Sequence, residues 1–213
     1  MKFDAVLFDL DGVLINSEGA WHQALNTVLK NYGKEEISRE DYNKYHMGKH
    51  PTEDIAMHFP EFSGDQLEKA VVLYENEFAK MIGHIKFHPY AIEILDYCKN
   101  LKKKLGLVTS MRWNVLGEIL QHFDMKKYFD AIQSGDNVKP KPNREPVLKA
   151  CSQLDVKPEN TIYVEDSAIG VKAGKDADCF TIAITQTTSE EKLKEAGADK
   201  VIYNLKELET IIS

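Results

Sequence analysis

From His88 onward, short apolar runs alternate with stretches of helical periodicity, and this alternation constrains the fold more than any other feature of the chain. Ala91, Ile94, Leu95, Cys98 and Leu101 recur at helical spacing ahead of the apolar run at 105–108. A helical stretch at 114–123 leads to the run 131–132, one at 145–154 leads to 161–164, and one at 167–176 leads to 180–184. A last short run, 200–202, precedes helical text at 205–212. Apolar runs separated by helices predict strands buried on both faces, in a parallel sheet with right-handed crossovers. The run at 5–8 reads as one more such strand. The fold class is therefore α/β, a doubly wound parallel sheet of Rossmann-like type.

Between residues 14 and 84 no strand-like run interrupts the helical text. Trp21, Ala24, Leu25, Val28, Leu29 and Tyr32 mark one helix, begun by Ser17 or Glu18 and closed by Gly33. Helical stretches at 39–45, 51–59 and 65–82 follow. The last carries Leu67, Ala70, Val71, Tyr74, Phe78 and Met81 on one face. This all-helical block interrupts the sheet after its first strand. The expected organisation is a core of residues 1–15 and 86–213 with a helical cap, residues 16–85, inserted in it.

Bulk properties narrow the partners. A chain of 213 residues, 43% hydrophobic and 29% charged, is long enough for one sizeable core with an insertion. Its net charge of −7, without a basic stripe, argues against nucleic acid. A small anionic substrate stays compatible, because a local pocket can oppose the net charge. Cys98, Cys151 and Cys179 are odd in number, lie in apolar-periodic segments and match no zinc spacing. They read as reduced core thiols. The chain opens directly on a strand, and no apolar stretch approaches the length of a membrane span. The expectation is a cytoplasmic protein, a monomer or weak dimer, with no membrane partner.

In open α/β sheets, ligands bind beyond the carboxyl ends of the strands. The residues that follow each apolar run are therefore informative. Asp9, Asp11 and Gly12 follow the first; Thr109 and Ser110 follow 105–108; Lys139, in "KPKP", follows the loop after 132; Glu165, Asp166 and Ser167 follow 161–164. Four carboxylates brought to one pocket repel one another by several kcal/mol per close pair. A hard divalent cation removes the conflict, and all-oxygen donors select Mg²⁺ over zinc. Mg²⁺, a lysine, hydroxyls and backbone N–H groups together suit a phosphoryl group. A calcium loop starting at Asp9 is excluded, since Gly12 comes too early and Ala20 stands at the twelfth position. His46 and His50 are four apart, but Gly48 interrupts any helix between them and no third zinc ligand is evident.

The four blocks "DLDGV", "LVTS", "KPKP" and "VEDSAIG", in that order, resemble the haloacid dehalogenase superfamily of phosphotransferases. The helical insertion after the first block resembles the cap of the β-phosphoglucomutase and phosphoglycolate phosphatase branch. The resemblance implies Asp9 as nucleophile, forming an aspartyl-phosphate, and Asp11 as the acid and base that serves leaving group and water. It implies Mg²⁺ held by Asp9, the Asp11 carbonyl and Asp166, with Glu165 a further ligand or the holder of a metal-bound water. Thr109 and the Ser110 N–H would hold phosphoryl oxygens, Lys139 would neutralise nucleophile and phosphoryl charge, and Gly12 would bring the backbone close to the phosphate.

Within that family, Asp11 favours phosphate chemistry over dehalogenation, because a halide leaving group needs no proton. A phosphonate-cleaving member needs a cap lysine, and nothing selects among Lys30, Lys44 and Lys49. Sugar-phosphate mutases place an arginine and a histidine in the cap where this chain has Pro51 and Trp21. The family's usual aspartates are replaced by Asn16 and Asn143. The expected substrate is a small phosphorylated metabolite, with water as final acceptor and specificity set around Trp21, Gly48, Lys49, His50 and Arg112. A mutase, and a phosphate- or protein-binding module without turnover, are the alternatives.

Overall fold

The strand β1, Ala5–Phe8, has no exposed side chain on either face, as four consecutive apolar residues require in the middle of a covered sheet. The computed structural model describes residues 3–213. Parallel to β1 run β4 (Lys104–Val108), β5 (Ala131–Gln133), β6 (Thr161–Glu165), β7 (Phe180–Ile184) and β8 (Lys200–Ile202), in the spatial order β5-β4-β1-β6-β7-β8. Every pairing in this sheet is parallel, with Ala5 opposite both Lys104 and Thr161. The chain winds outward from β1 through β4 and β5, then crosses to β6, β7 and β8 on the other side. The order therefore reverses at β1, and its carboxyl end is the switch point where α/β sheets open a crevice.

The crossover helices are α5 (Ala91–Asn100), α6 (Trp113–His122), α7 (Glu145–Gln153), α8 (Ala168–Asp176) and α9 (Glu190–Glu195), followed by the terminal α10 (Glu209–Ile212). Between β1 and β4 lie four more: α1 (Glu18–Asn31), α2 (Arg39–Tyr45), α3 (Pro51–His58) and α4 (Gly64–Ala79). Helix α1 buries Trp21, Ala24, Leu25, Val28 and Leu29, and α4 buries Ala70, Val71, Tyr74 and Phe78. These stripes face each other. Each buried Leu, Val or Phe contributes about 1.5–3 kcal/mol, so the α1–α4 pair holds itself together through its own apolar seam. Helix α3 starts with a capping box between His50 and Glu53 and carries Pro51 in its first turn, where the missing N–H costs nothing.

Three features depart from the sequence expectation. Two-residue strands β2 (Ile15–Asn16) and β3 (Lys86–Phe87) pair antiparallel where the chain leaves the sheet and where it returns. A two-residue ladder carries no periodicity to read. Helix α9 buries only Leu193, too little for an apolar repeat. The stretch 205–212 splits into a 3₁₀ turn, capped by Asn204 with Glu207, and α10. The three cysteines are free and buried. No helix among the described residues is long and apolar enough to cross a membrane.

Candidate active site

The sheet ladder carries the first acid to its place. Asp9 N–H donates to the Val164 carbonyl at 2.9 Å, extending the β1–β6 pairing by one residue, and Thr109 N–H donates to the Gln133 carbonyl at 3.0 Å at the end of β4. Glu165 closes β6 and Asp166 follows it. Asp9, Thr109, Glu165 and Asp166 are all buried at neighbouring strand ends. Separate strand ends bring these four groups to one locus.

The lysine at this locus is Lys141, not Lys139. Lys141 is 3% exposed, and its Nζ donates to Asp9 Oδ1 at 2.6 Å, Glu165 Oε1 at 2.7 Å and the Val108 carbonyl at 3.2 Å. Three ammonium protons meet three acceptors. Lys139 is exposed, and its backbone N–H donates to Glu145 Oε2 at 3.3 Å. The segment after β5 runs along the surface through residues 137–140 and turns inward only where α7 begins to pack on β4 and β5. Both lysines of "KPKP" precede a proline, so local sequence does not tell them apart.

The carboxylates differ in what holds them. Glu165 Oε2 accepts from the N–H of Asp166 (2.9 Å), the N–H of Ser167 (2.8 Å) and Ser167 Oγ (2.8 Å), while Oε1 accepts from Lys141 and from Tyr163 OH at 3.2 Å. Burial pushes its pKa up, but Lys141 and these donors outweigh it and hold Glu165 below the usual range. Its oxygens are committed, and it serves to fix Lys141. Among the described residues, the Asp166 side chain accepts only from Thr187 Oγ1, and burial, then the nearby Glu165 and Asp9, raise its pKa well above the ordinary value. Burial likewise pushes Asp9 up to about 8, although Lys141 opposes the shift. Oxygens of Asp9, Glu165 and Asp166 lie within 4.8 Å of one another. Gly12 makes this crowding possible. Its φ is +76°, and a Cβ there would lie 1.9 Å from Asp166 Oδ2.

Asp11 sits at the start of the tight loop closed by Gly12 N–H on the Ile15 carbonyl, at 2.8 Å. Its Oδ1 accepts from Ser17 Oγ and from Trp21 Nε1, the latter at 3.1 Å. Burial raises its pKa, and these two hydrogen bonds oppose the rise. The loop after α2 presses on the strand ends: the Gly48 carbonyl accepts from Ser110 Oγ at 2.9 Å, and a Cβ on Gly48 would stand 2.5 Å from Ser167 Oγ. Between that loop and the sheet lies a cavity lined by Asp9, Asp11, Trp21, Lys49, Asp54 and Thr109, among others.

The remaining expected specificity residues divide. Trp21, Gly48 and Lys49 reach the cavity. His50 does not: its ring accepts from Thr52 N–H at 3.2 Å as the cap of α3, and it lines an outer groove beside Asp136. Arg112 does not reach the cavity either. It donates to both oxygens of Glu68 and, through Nη2, to Glu75 Oε2 at 2.9 Å, where Asn114 also donates at 2.9 Å. Its charge is spent on α4 because Glu75 is fully buried and needs a counter-ion. Truncating Arg112 to alanine leaves that carboxylate with Asn114 alone, and destabilises the protein by about 2–4 kcal/mol in urea unfolding. Arg112→Lys recovers part of the loss.

Sequence reading missed Lys141, Thr187 and a buried polar cluster in the helical segment. There, His46 Nδ1 lies 3.0 Å from Asp54 Oδ1, Tyr74 OH donates to Asp54 Oδ2 at 3.2 Å, and His58 Nε2 lies 3.3 Å from His46 Nε2. Asp54 interrupts an apolar face, which is the one signal that could have found it.

If all four site carboxylates are ionised, Lys141 leaves them with an excess of negative charge in a buried space. Among the described residues, protein donors do not saturate Asp166 or the second oxygen of Asp9. Carboxylate and carbonyl oxygens without sulfur or imidazole fit a hard divalent cation such as Mg²⁺.

Fold and site together define a class: doubly wound α/β proteins with an acid–lysine cluster at the switch point, covered by a helical insertion. Residues 6–184 match the family model described as haloacid dehalogenase-like hydrolase. The chain belongs to that family. The phosphorylated carbohydrates phosphatase of Thermotoga maritima is 35% identical over 201 residues, covering 92% of each chain. CbbY of Rhodobacter sphaeroides, solved in complex with phosphate, is 26% identical with a TM-score of 0.84, over 97% of this chain and 96% of that one. β-Phosphoglucomutase of Clostridium difficile, at 23% identity, shares the fold with a TM-score of 0.86 over 97% and 93% of the two chains.

Proposed function

We propose that the protein is a phosphatase that hydrolyses small phosphomonoester metabolites with Mg²⁺, through a phosphoryl group carried on Asp9. The observation that carries this reading is the buried Asp9 carboxylate, held by Lys141 at 2.6 Å, next to Asp166 and at the floor of a covered cavity. Lys141 fixes one Asp9 oxygen and leaves the other to attack phosphorus. The bond from phosphorus to the ester oxygen breaks with its electron pair on that oxygen, and the Asp11 carboxyl gives its proton to it, releasing the alcohol. A water then attacks phosphorus, losing a proton to Asp11. The Asp9–phosphorus bond breaks, and phosphate leaves with Asp9 restored. Thr109 and Ser110 hold phosphoryl oxygens. Asp9, Asp166 and the Asp11 carbonyl would hold Mg²⁺, which would supply positive charge against the phosphoryl oxygens when bound.

Residues 16–85 act as the cap. Two chain crossings joined by the β2–β3 ribbon form its hinge, and closure excludes water from the site. Lys49 is the one lysine or arginine of the helical segment that lines the cavity among the described residues. A single half-buried cap lysine suits a monophosphate, and supports water rather than a second sugar phosphate as acceptor.

The test is phosphate release from a panel of phosphomonoesters with Mg²⁺ or with EDTA. Activity is expected only with the metal, and equal release in EDTA contradicts the reading. Binding itself has a separate readout. At a hundred times its Kd, Mg²⁺ stabilises the folded chain by about 2.7 kcal/mol, which raises Tm by roughly 5–10 °C. Asp166→Asn is expected to abolish this shift. A shift that survives in the variant places the metal elsewhere.

A further inference from the structure

We propose that Trp21 is a positioning residue for proton transfer: its indole N–H, with the Ser17 hydroxyl, holds Oδ1 of Asp11 and leaves Oδ2 as the oxygen presented to the ester being cleaved. The inference rests on the reading of Asp11 as the group that protonates the leaving oxygen.

Among the described residues, Asp11 has no salt-bridge partner that fixes its rotamer. Lys141, the cation of the site, spends its three donors on Asp9, Glu165 and the Val108 carbonyl. The aim of the Asp11 carboxyl is set instead by Ser17 Oγ and by Trp21 Nε1 at 3.1 Å, both on the same oxygen. Ser17 is the residue before α1 and Trp21 lies in its first turn, so both donors belong to one rigid helix end. The indole cannot turn freely. It stacks on Phe78 of α4, with ring centroids 3.7 Å apart and planes 15° apart, and meets the edge of Tyr74 at 5.0 Å. Trp has one donor and no acceptor, so its N–H has a single use here. The α1–α4 seam thus sets the direction of the N–H, and the N–H sets the direction of the acid. Asp11 and Trp21 both line the cavity, so the aimed carboxyl faces the space where an ester sits.

A general acid matters in proportion to how poor the leaving group is. An alkoxide needs the proton, whereas a nitrophenolate leaves almost without it. Misaiming Asp11 therefore changes the dependence of rate on leaving group, which ordinary structural damage does not. The experiment measures kcat/KM with Mg²⁺ for aryl and alkyl phosphates of graded leaving ability, in the parent, Trp21→Phe, Asp11→Asn and the double variant. Phenylalanine keeps one aromatic ring against Phe78 while removing the donor together with the second ring of the indole; Ser17→Ala removes the other donor at little cost in volume, and serves if Trp21→Phe fails to fold.

The expected result for Trp21→Phe is a loss of roughly tenfold or more for alkyl phosphates and of no more than about threefold for p-nitrophenyl phosphate. In the Asp11→Asn background the Trp21 substitution adds no further leaving-group dependence, because the two residues act as one unit. An equal loss across all esters, or additive losses in the double variant, overturns the proposal. If Asp11→Asn itself leaves the dependence unchanged, the role of Asp11 falls first and the Trp21 assignment falls with it.

Discussion

Asp9→Asn is expected to lower kcat toward every phosphomonoester by roughly 10⁴-fold or more, with the fold intact. An amide is too weak a nucleophile to attack phosphorus, and no second carboxylate can take over. Glu165 is bound to Lys141 and three donors at Ser167 and Asp166, and Asp11 is tied to Ser17 and Trp21. The substitution also removes one of four crowded acidic groups. Lys141 keeps Glu165 and the Val108 carbonyl as acceptors. Without metal, the variant should therefore melt no lower than the parent, and Mg²⁺ should stabilise it less. Phosphate release and thermal unfolding on the same preparations check both halves. Residual activity within tenfold of the parent contradicts the nucleophile assignment.

Lys141→Met is expected to have the opposite balance, a large loss of stability together with a large loss of rate. Its ammonium is the shared counter-ion of two buried carboxylates. Burial would lower its pKa, but Asp9 and Glu165 raise it well above the ordinary value, so the charge is permanent at any working pH. Removing it leaves Asp9 and Glu165 facing each other uncompensated, a change that costs about 3–5 kcal/mol when a buried pair is broken from one side. Activity falls by about 10²–10³, the scale of losing one preorganised charge at a transition state. Lys139→Met, two residues away on the surface, should change stability by less than about 0.5 kcal/mol. Urea unfolding of the two variants separates the lysines; a large effect at Lys139 and a small one at Lys141 contradicts the site geometry.

The contrast between those two lysines shows where sequence information stops. The strand at 180–184 was legible to the residue, because an apolar run covered on both faces leaves a continuous signature. The acids at strand ends were legible for the same reason, since the end of the run fixes their place. Lys141 was not, because its place depends on how far a loop travels before α7 pulls it inward. Arg112 was misread because its partner Glu75 is 37 positions earlier, on a helix whose apolar face gives no sign that a carboxylate lies buried beside it. The same holds for Trp21. Its spacing placed it correctly in the helical core, but periodicity describes which face a side chain occupies, not what its single N–H touches. The β2–β3 ribbon at the chain crossings is two residues long and leaves no pattern at all.

The central claim is that the buried carboxylates and Lys141 converge so that Asp9 carries the phosphoryl group. It is tested most directly by mixing the protein with Mg²⁺ and a phosphomonoester, quenching in acid within the first turnover, and mapping the modified peptide by mass spectrometry. A single acid-stable, base-labile phosphoryl group on Asp9, missing from Asp9→Asn and from samples without Mg²⁺, is the predicted result. Full turnover with no phosphoryl group on Asp9 at any quench time, or with the group on another residue, contradicts it.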